Sequence, residues 1–189
     1  TPWELSAGGY FIERDGSIAA WYFRNLKEAA NGLAIVAAHT DSPNLRLKPV
    51  LKGHQVGLSQ FGVEVYGGAL LNSWLDRDLG ISGRLITLST GGVIKENLVQ
   101  INEPLAKIPQ LAIHLNRSVN ENGLILNPQQ HLRPIWNDTS SDTTNLIDFI
   151  SSAAGIDRQR IQSWDLMLHD LQKASFVGAD KQWILSLIH

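Results

Sequence analysis

Residues 33–49 read Leu-Ala-Ile-Val-Ala-Ala-His-Thr-Asp-Ser-Pro-Asn-Leu-Arg-Leu-Lys-Pro, which joins an apolar run to a His-x-Asp pair. Its first six residues form an apolar run that is typical of a buried strand. His39 and Asp41 follow two positions apart, so on a strand their side chains would project from the same face. An imidazole is a good zinc ligand, and a neighbouring carboxylate can accept its second N–H. The spacing alone allows two interpretations, a metal ligand with its orienting carboxylate or a hydrogen-bonded structural histidine.

The composition indicates a folded protein without a strong charge. The 189 residues are 43% apolar and 18% charged, with a formal net charge of -2, so binding to nucleic acid is not expected. No apolar run reaches the roughly 18 residues of a membrane-spanning helix, and no signal segment precedes the first strand, so no membrane association is expected. The absence of cysteine excludes a thiolate zinc site and is consistent with a cytoplasmic location.

The local patterns are largely those of β-strands. Asp15-Gly16 predicts a hairpin between residues 10–14 and 17–23. Alternation of apolar and polar residues predicts further strands over 58–66, 83–89, 93–101 and 164–169.

One helix is predicted near the carboxyl end. Ser141 or Asp142 can cap it, an apolar face runs through Ala154, and Gly155 stops it.

The wider context of His39 resembles the first metal-ligand segment of the M18 family of metallo-aminopeptidases, the aspartyl aminopeptidase group. Residues 66–79, Tyr-Gly-Gly-Ala-Leu-Leu-Asn-Ser-Trp-Leu-Asp-Arg-Asp-Leu, are similar to a second block of that family. Residues 108–121 and 164–170 resemble two further blocks in the same order. The resemblance therefore covers nearly the whole chain.

The resemblance implies an α/β peptidase-domain fragment with a largely β inserted dimerisation domain that contains at least one helix. Residues 1–41 would be the amino-terminal part of the catalytic domain, 42–162 the inserted assembly domain, and 163–189 the return into the catalytic domain. In this family the insert forms dimers and larger, usually dodecameric, homo-oligomers.

The activity that the resemblance implies is removal of amino-terminal residues from peptides by metal-activated water. His39 matches a ligand of the two divalent metals, zinc foremost, with cobalt or manganese as possible substitutes. Asp41 matches the catalytic carboxylate that orients or tunes this ligand. The family's Arg-Leu-Asp-Asn-like motif, its Glu-Glu pair and its remaining ligands are not among these residues. The chain is therefore expected to be incomplete and inactive alone, and a non-catalytic oligomerisation module or truncated homologue is the alternative.

Asn72 falls where eukaryotic members of the family carry a histidine that contacts substrate in the adjoining subunit. An asparagine there cannot become a cation, so a preference for acidic substrates would require another positive group. The Asp76-Arg77-Asp78 run could be a catalytic carboxylate pair, but a structural ion pair and turn element is the favoured interpretation.

The other histidines and the tryptophans have no recognisable ligand pattern. His114 and His131 are predicted to be structural or surface residues, and His54, His169 and His189 lack ligand spacing. The six tryptophans are expected in cores and subunit interfaces rather than in a binding groove.

Overall fold

The computed structural model describes residues 6–25, 27, 32–49, 53–55, 57–138 and 145–186. The chain divides into two compact units, Thr1–Ser42 and Pro43–His189. The described residues are rich in strands, and their longest helix has nine residues. This sheet-rich architecture with few helices agrees with the predicted β character of most of the chain.

The first unit contains the predicted hairpin, which is confirmed. Strands β1 (Gly8–Arg14) and β2 (Ser17–Phe23) pair antiparallel, with Arg14 opposite Ser17. Asp15 has a φ of 51°, the left-handed conformation that a tight two-residue turn requires.

The apolar run at 33–38 does not form the buried strand that its composition predicts. It belongs to no strand, and Ile35 and Val36 are 84% and 96% exposed. A strand is buried only when neighbouring strands satisfy its backbone and other elements cover its faces. Among the described residues of this unit, only the β1–β2 hairpin is available, and it does not pair with the run.

The second unit is built on strands. Within the described residues they are β3 (Asn44–Leu47), β4 (Gly53–Gln55), β5 (Leu58–Gln60), β6 (Val63–Tyr66), β7 (Leu79–Leu88), β8 (Ile94–Ala106), β9 (Ile135–Asp138), β10 (Ile161–Asp170), β11 (Ser175–Val177) and β12 (Trp183–Leu185). The largest sheet has the order β6-β3-β10-β7-β8, and all its neighbouring strands are antiparallel. Strands β4, β5 and β9 form a second sheet, and β11 pairs with β12.

Two sequence expectations about these strands have different outcomes. The β7–β8 hairpin predicted from the alternating runs at 83–89 and 93–101 is confirmed, and both strands extend further than expected. The single strand predicted over 58–66 is wrong, because β5 pairs with β9 while β6 pairs with β3. Phe61 lies between the two strands, and its buried ring stacks on Trp136 at 5.1 Å between ring centroids. The chain changes sheets at this aromatic contact.

Within the described residues of the second unit, the α-helices are α1 (Val119–Asn122), α2 (Pro128–His131) and α3 (Leu146–Ala154). Asn145 caps α3 by accepting a hydrogen bond from the Ile147 N–H at 2.9 Å. The caps predicted from sequence, Ser141 and Asp142, lie outside the described residues, and the start of the helix at 146 corrects that prediction. Gly155 ends α3 in the left-handed conformation, as predicted. None of the helices among the described residues is long and apolar enough to cross a membrane.

One face of the five-stranded sheet carries the core of the second unit. Alternate residues of each strand point to this face, which gives the buried pattern seen in β3 and β7. The largest fully buried apolar side chains are Leu45, Phe61, Leu79, Ile81, Leu85, Ile108, Leu132, Pro134, Ile150, Leu166 and Leu168. Ile147 and Ile150 bring α3 onto this core.

A Gly83→Ala variant should be strongly destabilised. Gly83 lies opposite Leu166 with a φ of +148°, and an added Cβ would sit 2.1 Å from the Asp165 carbonyl oxygen. The strained backbone and the clash together should cost on the order of 3 kcal/mol or more. The midpoint of urea unfolding measures this loss. Gly91→Ala is the matched control, since its nearest neighbour would be 3.8 Å away, and equal midpoints for the two variants would contradict the close approach of β7 and β10.

Candidate functional site

His39 and Asp41 lie near each other in the first unit, in an exposed segment that belongs to no helix or strand. The His39 Nδ1–H donates a hydrogen bond to the Asp41 backbone carbonyl oxygen at 2.7 Å. The Asp41 carboxylate is also near this nitrogen, at 3.4 Å. The closer partner of the ring is therefore the carbonyl, whereas the sequence pointed to the carboxylate. Both partners accept through oxygen, so Nδ1 is the donor, and in the neutral form of the ring the lone pair is on Nε2.

This arrangement fits one zinc ligand but does not complete a site. A zinc-binding histidine usually donates its other ring N–H to a carbonyl or carboxylate, which is the contact that His39 makes. A catalytic zinc takes three protein ligands. No group of three His, Cys, Asp or Glu side chains that could hold a metal occurs in the part of the chain that the structure describes.

Asn72 lies in an exposed position on a short 3-10 turn, Leu71–Trp74. The turn is closed by the Ser73 N–H, which donates to the Leu70 carbonyl at 3.0 Å, and by the Ser73 hydroxyl, which donates to the same oxygen at 2.7 Å. Trp74 is buried in the core at the end of the turn. The buried indole anchors the turn while Asn72 faces solvent.

Arg77 links this turn to the main sheet through hydrogen bonds. Its Nε donates to the Ser73 carbonyl, and its Nη1 donates to the Asp170 carboxylate at 2.7 Å and to the Gln172 side-chain oxygen at 2.9 Å. Asp170 is the last residue of β10. Arg77 thus connects the segment that carries Asn72 to the end of the central strand.

The two flanking aspartates also have structural contacts. Asp76 adopts a left-handed φ of 58°, and its carboxylate accepts a hydrogen bond from the Gln110 N–H at 2.9 Å. Asp78 pairs with the Lys107 ammonium at 2.8 Å, which raises the pKa of Lys107. The interpretation of residues 76–78 as an ion-pair and turn element is confirmed.

The remaining described histidines make structural hydrogen bonds or lie at the surface. His131 accepts a hydrogen bond from the Asn127 N–H at 2.9 Å, a structural contact, and His114 is exposed. His169 contacts the Asn102 side-chain oxygen through Nε2 at 3.0 Å. Burial lowers the pKa of His169, and the nearby Asp170 charge partly opposes this effect. The side chain of His54 and all of His189 lie outside the described residues.

A row of charged residues that the sequence did not indicate lies on the open face of the main sheet, which is the face opposite the core. Arg46 and Asp165 are 3.5 Å apart, Arg84 and Asp165 are 3.7 Å apart, and Arg84 and Glu96 are 3.3 Å apart. The four residues come from four strands, so the strand register brings them together. They form no short-range motif that could be recognised in the sequence.

Comparison with known proteins identifies the family. The sequence model described as "Aminopeptidase I zinc metalloprotease (M18)" matches residues 1–187. The chain belongs to the M18 family. A relative described as "Probable M18 family aminopeptidase 2" from Streptomyces coelicolor is 44% identical over 184 residues, covering 96% of this chain and 41% of the relative. This M18 chain therefore spans less than half the length of that relative.

Solved M18 structures show the same fold. The structure of Chaetomium thermophilum mApe1 is similar with a TM-score of 0.77 and 34% identity, covering 96% of this chain and 44% of that one. The structure described as the S. cerevisiae mApe1 dodecamer has a TM-score of 0.59 and 28% identity, covering 76% of this chain and 32% of that one. The resemblance of this chain to M18 metallo-aminopeptidases thus holds in sequence and in structure.

Proposed function

We propose that this M18 chain is the amino-terminal and assembly part of a metallo-aminopeptidase that removes amino-terminal residues from peptides. The observation that carries the proposal is the family match over residues 1–187, which includes the His39–Asp41 pair. The test is whether peptide hydrolysis, by a chain that carries the remaining M18 ligands, depends on zinc.

In the proposed site His39 holds zinc through Nε2. The contact from Nδ1 to Asp41 keeps the proton off Nε2 and limits rotation of the ring, so Asp41 acts by orienting the ligand. The zinc, when bound, supplies Lewis-acid polarisation of the scissile carbonyl and activation of a water. We further propose two divalent ions in the working enzyme. Cobalt or manganese could replace zinc, because the proposed ligands are nitrogen and oxygen atoms.

His39 and Asp41 are the residues of this sequence that we assign to the ligand set. Because zinc needs more ligands than these two provide, we expect the 189 residues to be inactive alone. Activity then depends on ligands from further sequence of the kind present in longer M18 relatives.

A non-catalytic oligomerisation module, or a truncated homologue, is the second candidate function. It is supported by the second unit, which has a buried core on a five-stranded sheet of its own. No group of three potential metal ligands occurs in the described residues of either unit. A module of this kind would associate without hydrolysing peptides.

We propose that residues 1–41 belong to the catalytic domain and that the insert begins at 42. The carboxyl boundary proposed from sequence, at 162, falls inside β10, which is the central strand of the main sheet. We therefore propose that the insert continues through Asp170 before the chain returns to the catalytic domain. The insert would support a homo-oligomer, as large as a dodecamer, in the cytoplasm, and the absence of cysteine is consistent with that compartment.

An Asn72→Ala variant should reduce peptide turnover more than stability. If the exposed amide contacts substrate bound to the adjoining subunit, its loss removes about one hydrogen bond, or roughly 0.5–1.5 kcal/mol. This loss corresponds to a decrease in kcat/KM of roughly 2- to 12-fold. The experiment compares kcat/KM and the thermal midpoint in a chain with the full M18 ligand set. Asn122→Ala, an exposed asparagine on α1, is the control, and identical kinetics for Asn72→Ala and the unmodified chain would exclude this role.

A further inference from the structure

The turn that carries Asn72 is restrained mainly from its carboxyl side. Two exposed glycines, Gly67 and Gly68, precede it, and glycine restricts the backbone less than any other residue. A Cβ added at Gly68 would meet nothing within 4 Å, so the chain that enters the turn has open space around it. On the carboxyl side, Trp74 is buried and the Arg77 side chain is only 23% exposed. The orientation of Asn72 therefore depends on Trp74 and Arg77.

We propose that Arg77 is a positioning residue for peptide hydrolysis, because it holds the Asn72 amide in the orientation that contacts substrate bound to the adjoining subunit. This inference rests on the role proposed for Asn72 and assigns the residue that controls its geometry. Arg77 acts without contacting substrate, through its hydrogen bonds to the turn and to the end of β10.

The Arg77 guanidinium contacts the turn with one nitrogen and the main sheet with another. Its Nε donates to the carbonyl oxygen of Ser73, the residue that follows Asn72. Its Nη1 donates to the Asp170 carboxylate at 2.7 Å. Because the guanidinium is planar and rigid, the directions of these two hydrogen bonds are fixed relative to each other. The backbone beside Asn72 is thereby held in a set position relative to the end of β10.

The Asp170 carboxylate that receives this contact is itself held in place. One of its oxygens accepts from Arg77, and the other accepts from the Gln172 N–H at 2.9 Å. The Gln172 side-chain oxygen accepts from the same Arg77 nitrogen at 2.9 Å, which closes a ring of three hydrogen bonds. The backbone of Asp170 is paired with Leu79 of β7. Arg77 therefore connects the turn to a firm part of the sheet.

The Arg77–Asp170 ion pair is more enclosed than a pair on the open face of the sheet. The Arg77 and Asp170 side chains are 23% and 12% exposed, whereas those of Arg84 and Glu96 are each 50% exposed. Water and salt screen an exposed pair, so its partners are weakly held together. Separating an enclosed pair leaves a poorly solvated charge, which is costly. The enclosed pair can therefore hold a geometry that an exposed pair cannot.

Arg77→Lys tests the inference, because lysine keeps the charge but has a single nitrogen that cannot replace both guanidinium contacts. In a chain with the full M18 ligand set, we expect kcat/KM to fall by a factor comparable with that of Asn72→Ala, roughly 2- to 12-fold. In an Asn72→Ala background, Arg77→Lys should lower kcat/KM by less than about 2-fold, since the amide that it positions is already absent.

A residue that only stabilises the fold would give a different result. Its replacement would lower kcat/KM by the same factor in both backgrounds, and this outcome would overturn the inference. Arg84→Lys is the control, and it should leave kcat/KM unchanged in both backgrounds. If Asn72→Ala lowers kcat/KM and Arg77→Lys does not, the inference is overturned while the role of Asn72 stands. If Asn72→Ala has no effect, both are overturned, and zinc-dependent hydrolysis is decided separately by the unmodified chain.

Asp170→Asn is a second variant that keeps the test decisive if Arg77→Lys does not fold. The asparagine is of similar size, but it has no charge and a single oxygen, so it cannot accept well from both Arg77 and the Gln172 N–H. We expect the same pattern, a fall in kcat/KM that nearly disappears in the Asn72→Ala background. Equal falls in the two backgrounds would overturn the inference for this variant as well.

Hydrogen exchange followed by mass spectrometry tests the position of the turn without hydrolysis. The Ser73 and Leu75 N–H groups donate to carbonyl oxygens of the same turn. In Arg77→Lys these groups should exchange about 10-fold faster or more, because the turn opens more often without its link to the sheet. Arg84→Lys should leave their exchange unchanged. Unchanged exchange in Arg77→Lys would overturn the inference whether or not the chain hydrolyses peptides.

Discussion

A His39→Ala variant should lose metal-dependent peptide hydrolysis when these 189 residues are part of a chain that carries the remaining M18 ligands. Replacing a residue that only hydrogen-bonds to a metal ligand typically lowers metal affinity or activity by about 10–100-fold. Because His39 is proposed to bind the metal itself, its loss should lower kcat/KM by more than about 100-fold. The measurements are kcat/KM for a short peptide and the zinc content of the purified protein.

The folded structure should tolerate this substitution. The His39 side chain is 75% exposed, and a surface change of this kind usually alters stability by less than about 0.5 kcal/mol. A loss of activity with an unchanged unfolding midpoint would therefore report on the metal rather than on folding. His114→Ala, at an exposed histidine of the second unit, is the control. If His39→Ala keeps the zinc content and kcat/KM of that control, His39 is not a ligand.

Elements formed between neighbouring segments of the chain could be predicted from the sequence. The β1–β2 hairpin follows from Asp15-Gly16, and the β7–β8 hairpin follows from alternating runs on each side of a glycine-containing turn. The stop of α3 at Gly155 is similarly local, because only its left-handed backbone is needed. In each case the residues that determine the element lie within or next to it.

Elements that depend on distant partners could not be predicted in the same way. Residues 58–66 alternate like one strand, but β5 pairs with β9, about 80 residues later in the chain, while β6 pairs with β3. The apolar run at 33–38 has the composition of a buried strand without a neighbouring strand to pair with it in the described residues. The composition of a segment sets its preference for the β conformation, but a strand forms only where a neighbouring strand pairs with it.

In the candidate site, too, contacts between neighbouring residues could be predicted and contacts between distant residues could not. His39 and Asp41 could be recognised because they are two residues apart, and the structure brings the ring and the Asp41 carbonyl within hydrogen-bonding distance. The link from Arg77 to Asp170 could not be recognised, since 93 residues separate its ends. The same is true of the Arg84 and Asp165 contact on the open face of the sheet. These contacts depend on the sheet order and register.

The most direct test of the proposed function is whether peptide hydrolysis requires a metal. A chain that joins these 189 residues to the remaining M18 ligands would be assayed for release of amino-terminal Asp, Glu and Leu from short peptides. The assay would be run before chelation, after removal of metal by a chelator, and after addition of zinc, cobalt or manganese. We expect hydrolysis to stop on chelation and to return with added metal, because a metal held by His39 and the remaining ligands would supply Lewis-acid polarisation of the carbonyl and activation of the water. Hydrolysis that continues at its full rate in protein shown by elemental analysis to contain no metal would contradict the proposal.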